Sequence, residues 1–276
     1  MIFNVQYYRY LYKNKLPVFF VFMVLLVHLH ITFSDRSTMK NNFIHTYVSV
    51  DCVVFGFDDD QLNILLVQRN ADKKTQKDLK LPGSLIYNEE DVDDAANRVL
   101  FELTGIKRMS LKQFRCFASP DRAQNSDDVK WLDVAYKPNI NRLITVAYLS
   151  LCKVDRKLNN ISKYKLTEWC PISKLPQMPF DHNQIVKESL IEIRQWIEFD
   201  PAIVFELLPQ KFTISQLHKL YEAIYSKDID IRNFHKKVAA MPYVVAMEEK
   251  QKDVSHRAAR YYKFDKKEYN KRRTSI

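Results

Sequence analysis

The chain has 276 residues, of which 46% are hydrophobic and only 3 are glycine, and its net charge is +10. That length holds one large domain or two modest ones, and the composition excludes collagen-like, linker-rich and disordered chains. The charge is uneven: residues 211–276 carry 16 basic against 8 acidic side chains, residues 39–210 carry 23 against 24, and residues 1–38 carry 4 against 1.

In chain order, the first feature is Leu16–Phe33, an apolar run of 18 residues preceded by Arg9, Lys13 and Lys15. Taken alone it reads as a membrane anchor or an uncleaved signal segment. Its charge bias would export everything downstream, whereas Met39 opens a segment that reads as a cytosolic protein start. The expectation is initiation at Met39, with residues 1–38 an over-long start or an anchor. Thr46–Phe57 is rich in β-branched residues and predicts a strand. Asp58-Asp59-Asp60 predicts a turn and Leu62–Gln68 the hairpin partner. A polar stretch over 70–80 reads as a loop. Glu89–Leu103 then carries apolar residues at helical spacing and stops at Gly105, a C-cap residue. Further strands are expected at Gln113–Ala118, Leu143–Cys152 and Tyr164–Ile172, and a helix at His182–Ile197, with Asp181 as its cap.

The segment Gly83–Ile106 resembles the Nudix box. That pattern runs Gly, five residues, Glu, seven residues, Arg-Glu, an apolar residue, any residue, Glu-Glu, any residue, Gly and an apolar residue. Arg98, Leu100, Glu102, Gly105 and Ile106 match. Val99 and Leu103 stand where the pattern has Glu, and one extra residue after Gly83 lets either Glu89 or Glu90 fill the first acidic position. A hydrolase of this kind needs Mg²⁺ or Mn²⁺ held by several carboxylates on one helical face. Val99 and Leu103 lie four residues apart and so share a face; apolar groups there remove the metal seat. The box therefore reads as vestigial, with no catalytic residue, no metal site and no cofactor. The alternative is a divergent Mg-dependent hydrolase of nucleoside diphosphate derivatives such as ADP-ribose, using Glu89, Glu90 and Glu102.

Asp200-Pro201 predicts a boundary, followed by a short linking helix over Pro201–Leu208. Thr213–Tyr225 and Ile229–Met241 are amphipathic, and the strand-like segments Tyr243–Ala246 and Arg260–Phe264 flank a charged hairpin. Helix, turn, helix and hairpin is the order of a winged helix. On the second helix Arg232 and Asn233 are suited to base edges, with His235, Lys236 and Lys237 beside them as further DNA contacts, the two lysines toward phosphate. Ser215 and Gln216, in the first turn of the preceding helix, are candidate phosphate donors. In the wing, His256, Arg257 and Arg260 are candidate DNA contacts. The Lys271-Arg272-Arg273 tail reads as a solvated end.

From about Asn42 onward the chain resembles the Nudix-related transcription regulators of the NrtR/AraR type. The resemblance implies a mixed α/β Nudix sandwich over 39–198 and a smaller winged helix-turn-helix domain over 199–276. It also implies a cytoplasmic homodimer, a double-stranded DNA operator as partner, and a small-molecule effector that is a sugar or ADP-ribose-like. The lost carboxylates weaken the pyrophosphate case and favour a sugar, hence control of carbohydrate metabolism. Cys52, Cys116, Cys152 and Cys170 lack metal-ligand spacing and read as reduced thiols. His45 and His182 have no partner at ligand spacing and read as structural. Trp131, Trp169 and Trp196 read as core or pocket-lining residues.

Overall fold

The computed structural model describes residues 46–69, 78–107, 109–136, 140, 142–154, 158, 167–252 and 258–273. Leu16–Phe33, Met39 and His45 lie outside them.

Strand β1 (Tyr47–Phe57) organises the sheet. It runs parallel to β6 (Leu143–Lys153) along its whole length. Its other edge is shared by two antiparallel strands: β4 (Gly83–Leu85) against Ser49–Asp51, and β2 (Leu62–Gln68) against Phe55–Phe57. The short β3 (Leu79–Lys80) extends β2, β5 (Lys112–Phe117) extends β6, and β7 (Thr167–Pro171) also pairs with β2. The turn after β1 forms as predicted, because Asp58 accepts the N–H groups of Asp60 and Gln61 at 3.1 and 2.9 Å.

Period-two alternation sorts β1 between two cores. Val50, Cys52 and Val54 pack against helix α1 (Val92–Thr104) through Ala95, Ala96, Val99 and Leu100. Val53, Phe55 and Phe57 face the other way, against helix α3 (His182–Phe199) through Ile185, Val186 and Ile193. Helix α1 starts three residues later than predicted. Asp91 takes an extended conformation and accepts the Asp94 N–H at 2.8 Å, which leaves Glu89 and Glu90 in the preceding turn. Gly105 ends the helix at φ 76°, where an L side chain would be strained.

Helix α2 (Ser126–Tyr136) was not predicted. It buries only Asp128 and Leu132, so it carries almost no apolar periodicity to detect. The expected Asp181 cap on α3 is corrected. Asp181 makes no side-chain cap bond, and its carboxylate is held by Arg122.

After α3, Asp200 caps a 3₁₀ segment, Pro201–Leu207, by accepting the Ala202 N–H. The winged helix follows as α4 (Ile214–Tyr225), α5 (Ile231–Ala239) and a hairpin of β8 (Val244–Lys250) and β9 (Arg260–Phe264). Lys271-Arg272-Arg273 is not a loose end. It closes helix α6 (Lys266–Arg273), whose first turn Asp265 caps. One hydrophobic cluster runs from Phe55 and Ile64 of the sheet through Ile193, Ile197, Val204 and Leu207 to Leu217, Leu220, Ile224, Phe234 and Val238. Residues Thr46–Ile276 accordingly form a single compact unit.

Candidate functional site

The segment Gly83–Ile106 closes on itself through Arg98. Arg98 donates to both Glu90 oxygens, at 2.8 and 2.5 Å, and to Glu102 at 3.0 Å. Its guanidinium also lies 3.8 Å from the Tyr87 ring centroid. The Arg98 hydrogen bond holds the Glu90 carboxyl below the usual carboxylate range. Glu90, rather than Glu89, is thus the acid engaged with the helix, while Glu89 is exposed in the same turn. Val99 is fully buried beneath α1, and Leu103 packs against the same cluster. The two remaining acids of the box are therefore bonded to an arginine, and the two missing ones are replaced by core side chains.

A different site lies on the α3 face of the sheet. Ser49 and Asp51 of β1 point into it, opposite to the α1 core. Lys80, Gly83, Ser84 and Leu85 come from β3 and β4, Arg122 from the loop after β5, Trp131 and Tyr136 from α2, and Phe180 and His182 from the start of α3. They enclose a cavity of about 30 Å³, room for water and little more. Gly83 makes it possible: a Cβ there would meet Asp51 Oδ1 at 1.9 Å and the Val50 carbonyl at 2.9 Å. Leu85 joins the two sites, lining the cavity while its carbonyl accepts from Arg98 at 3.0 Å.

The charges in this cavity are buried and interlocked. Arg122 Nε donates to both Asp181 oxygens at 3.0 and 3.2 Å, and Nη2 reaches Asp181 at 2.8 Å and Asp51 at 3.5 Å. Its Nη1 is buried without a hydrogen-bond partner among the described residues. Lys80 Nζ donates to the carbonyls of Gly83 at 2.7 Å and Leu81 at 3.2 Å. Burial pushes Lys80 down to about 8 against the pull of Asp51, and burial raises Asp51 against Arg122 and Lys80. His182 Nδ1 accepts the Leu81 N–H at 3.1 Å, which places its remaining proton on Nε2, 3.5 Å from Asp51. Burial and the neighbouring Lys80 and Arg122 hold this imidazole neutral. Outside Arg122 and Phe180 lies a polar cleft of about 500 Å³, lined by Arg69, Asp78, Asp121, Asp127, Asp128 and Asp181 among others. Among the described lining residues of cavity and cleft, three cations face six carboxylates.

The third region is the winged helix. On α5, Phe234 and Val238 are buried while Arg232, Asn233, His235, Lys236 and Lys237 are exposed. Asp230 starts this helix by accepting the Asn233 N–H at 2.8 Å. Lys237 leans back, its Nζ 4.4 Å from the Tyr221 ring centroid on α4. Ser215 is exposed at the start of α4. Gln216 has a duty the sequence reading did not include. Its side-chain oxygen accepts the Thr213 N–H at 2.8 Å, and Thr213 Oγ1 accepts the Gln216 N–H, a reciprocal capping box. Arg260 is exposed at the start of β9. His256 and Arg257 lie outside the described residues.

Residues 45–190 match the NUDIX domain family, more than half of the chain. The chain belongs to the Nudix family. Residues 204–264 of this Nudix protein match the NrtR DNA-binding winged helix domain. It is 25% identical over 236 residues to the ADPR responsive transcriptional repressor NtrR of Acinetobacter baylyi, an alignment covering 84% of this chain and 87% of that protein. Two solved structures share its fold. One is Shewanella oneidensis NrtR complexed with a 27mer DNA, with a TM-score of 0.56, 22% identity, and coverage of 79% of this chain and 93% of that one. The other is a MutT/nudix family protein from Enterococcus faecalis, with a TM-score of 0.53, 18% identity, and coverage of 95% and 99%.

Within the Nudix domain, sequence reasoning missed most of the cavity. Asp51 carried a usable signal, a lone charge inside the apolar run of β1. Lys80, flanked by Leu79 and Leu81, carried a similar one. Arg122 carried none, since nothing local distinguishes it from a surface arginine. His182 was read as structural, and it does hold the Leu81 amide while also lining the cavity. Of the tryptophans, Trp131 lines the cavity and Trp169 packs against the α1 core.

Proposed function

We propose that this protein is a DNA-binding transcription repressor whose Nudix domain receives a sugar or sugar-bearing metabolite instead of hydrolysing a nucleotide. Its winged helix binds a duplex DNA operator, and the chain works as a homodimer that controls carbohydrate use. The observation that carries the receptor reading is the polar cleft of about 500 Å³ lined by Arg122, whose Nη1 is buried and lacks an acceptor among the described residues. A buried donor of that kind calls for a bound oxygen. Hydroxyl groups supply such oxygens without charge. A diphosphate would bring negative charge to a region where carboxylates already outnumber cations. Hydrolysis is disfavoured because the two acids left in the box are bonded to Arg98. The DNA-binding reading is supported by the match of residues 204–264 to a DNA-binding winged helix domain and by the exposed cationic face of α5. The repressor of Acinetobacter baylyi is described as ADPR responsive, so ADP-ribose is the competing effector.

The test is selection of bound DNA fragments by the purified protein, repeated with a panel of aldopentoses and with ADP-ribose, beside a Mg²⁺-dependent hydrolysis assay. Selective DNA retention altered by a pentose is the expected result. A response to ADP-ribose alone would overturn the sugar assignment, and turnover of ADP-ribose would overturn the receptor reading.

A further inference from the structure

We infer that helix α3 transmits the state of the cavity to the wing, through a carboxylate at each of its ends. This rests on the effector reading above and adds the route by which an effector would act. The helix has 18 residues without Gly or Pro, and spans about 27 Å as an unbroken rod. At its start, Asp181 holds three hydrogen bonds from Arg122, a residue that lines the cavity and whose Nη1 is buried without a partner among the described residues. An acceptor that engages this nitrogen takes no hydrogen bond from Asp181 but pulls on the same rigid guanidinium that holds it.

At the other end stands Asp200. Its Oδ1 accepts from Tyr269 Oη at 2.6 Å and from the Ala202 N–H at 3.1 Å, and its Oδ2 accepts from Arg273 at 3.1 Å. Tyr269 and Arg273 belong to α6, which follows directly from wing strand β9. The Tyr269 ring packs edge-on against Tyr243 with centroids 5.0 Å apart, and tilted against Phe264 at 5.7 Å. In the second half of the helix, Arg194 donates to the Ile224 carbonyl at 2.7 Å and to Ser226 Oγ at 3.1 Å, tying α3 to the end of α4. One rigid element therefore touches the cavity at one end, and the helix pair and the wing at the other. Asp181 and Asp200 are positioning residues, and neither need touch DNA.

Hydrogen exchange on the full chain tests this through a double-mutant cycle. Asp181→Ala is expected to speed exchange of the α6 amides, Tyr269 among them, roughly three- to tenfold, while the core amides of β1 keep their protection. In the Asp200→Asn background the same substitution should add nothing. If Asp200→Asn does not fold, the double change Tyr269→Phe with Arg273→Gln cuts the contact from the α6 side. Wild-type α6 exchange in Asp181→Ala overturns the inference, as does an increment that persists once Asp200 is cut. Neither DNA nor effector enters the measurement, so its outcome is separable from failure of the operator or effector assays.

Discussion

Asp51 stands between Val50 and Cys52, both fully buried, yet it points into a polar cavity because β1 alternates its faces. Its charge and that of Lys80 support one another in a place where each alone would be discharged. Lys80 titrates near 8 in the folded chain against 10.5 in an unfolded one. Over that window the unfolded chain binds more protons, so the Lys80 contribution to stability rises from about pH 8 to about pH 10.5 and is constant below. The difference is of the order of 3 kcal/mol. Urea midpoints of wild type and Lys80→Met across this range isolate it, since burial keeps the Cys52 thiol protonated in both folded chains. Parallel profiles for the two proteins would show that Lys80 is not held as described.

Among elements, α5 most directly connects sequence to action. Phe234 and Val238 pin it to α4, and Arg232 and Asn233 are left facing outward. Arg232→Ala and Asn233→Ala should each cost about 1–3 kcal/mol of specific DNA binding while the thermal midpoint holds. Unchanged operator affinity would refute the assignment of α5 as the reading helix. The strands β1, β2 and β6 were legible as continuous apolar, β-branched runs, and the helices α1, α3, α4 and α5 because their buried residues recur at helical spacing. The short β3 and β4, the weakly amphipathic α2 and the strongly cationic α6 were not, because their positions are decided by distant partners. Lys80 is fixed by backbone carbonyls across a turn, and α6 by Asp200 some seventy residues earlier. The cavity was illegible for the same reason: its ionisable members come from β1, β3, a loop and the start of α3. What the Nudix box did reveal was the replacement of two of its acids, since Val99 and Leu103 are visible as letters before they are seen as core.

For the whole molecule, the charge division makes association with DNA salt-dependent. Raising salt should weaken operator binding log-linearly, and Lys236→Ala should lower the magnitude of that slope by about 1 if it meets phosphate. An unaltered slope would place Lys236 off the DNA backbone.

The hydrophobic cluster that runs from Phe55 to Val238 has its own consequence. Because Val204 and Leu207 are shared by both modules, neither owns a finished interior. A gene fusion that grafted residues 201–276 onto another domain would strip the donor of part of its floor and hand the recipient a bare greasy flank. A substitution in that shared floor therefore burdens both modules, and heating should melt them as one.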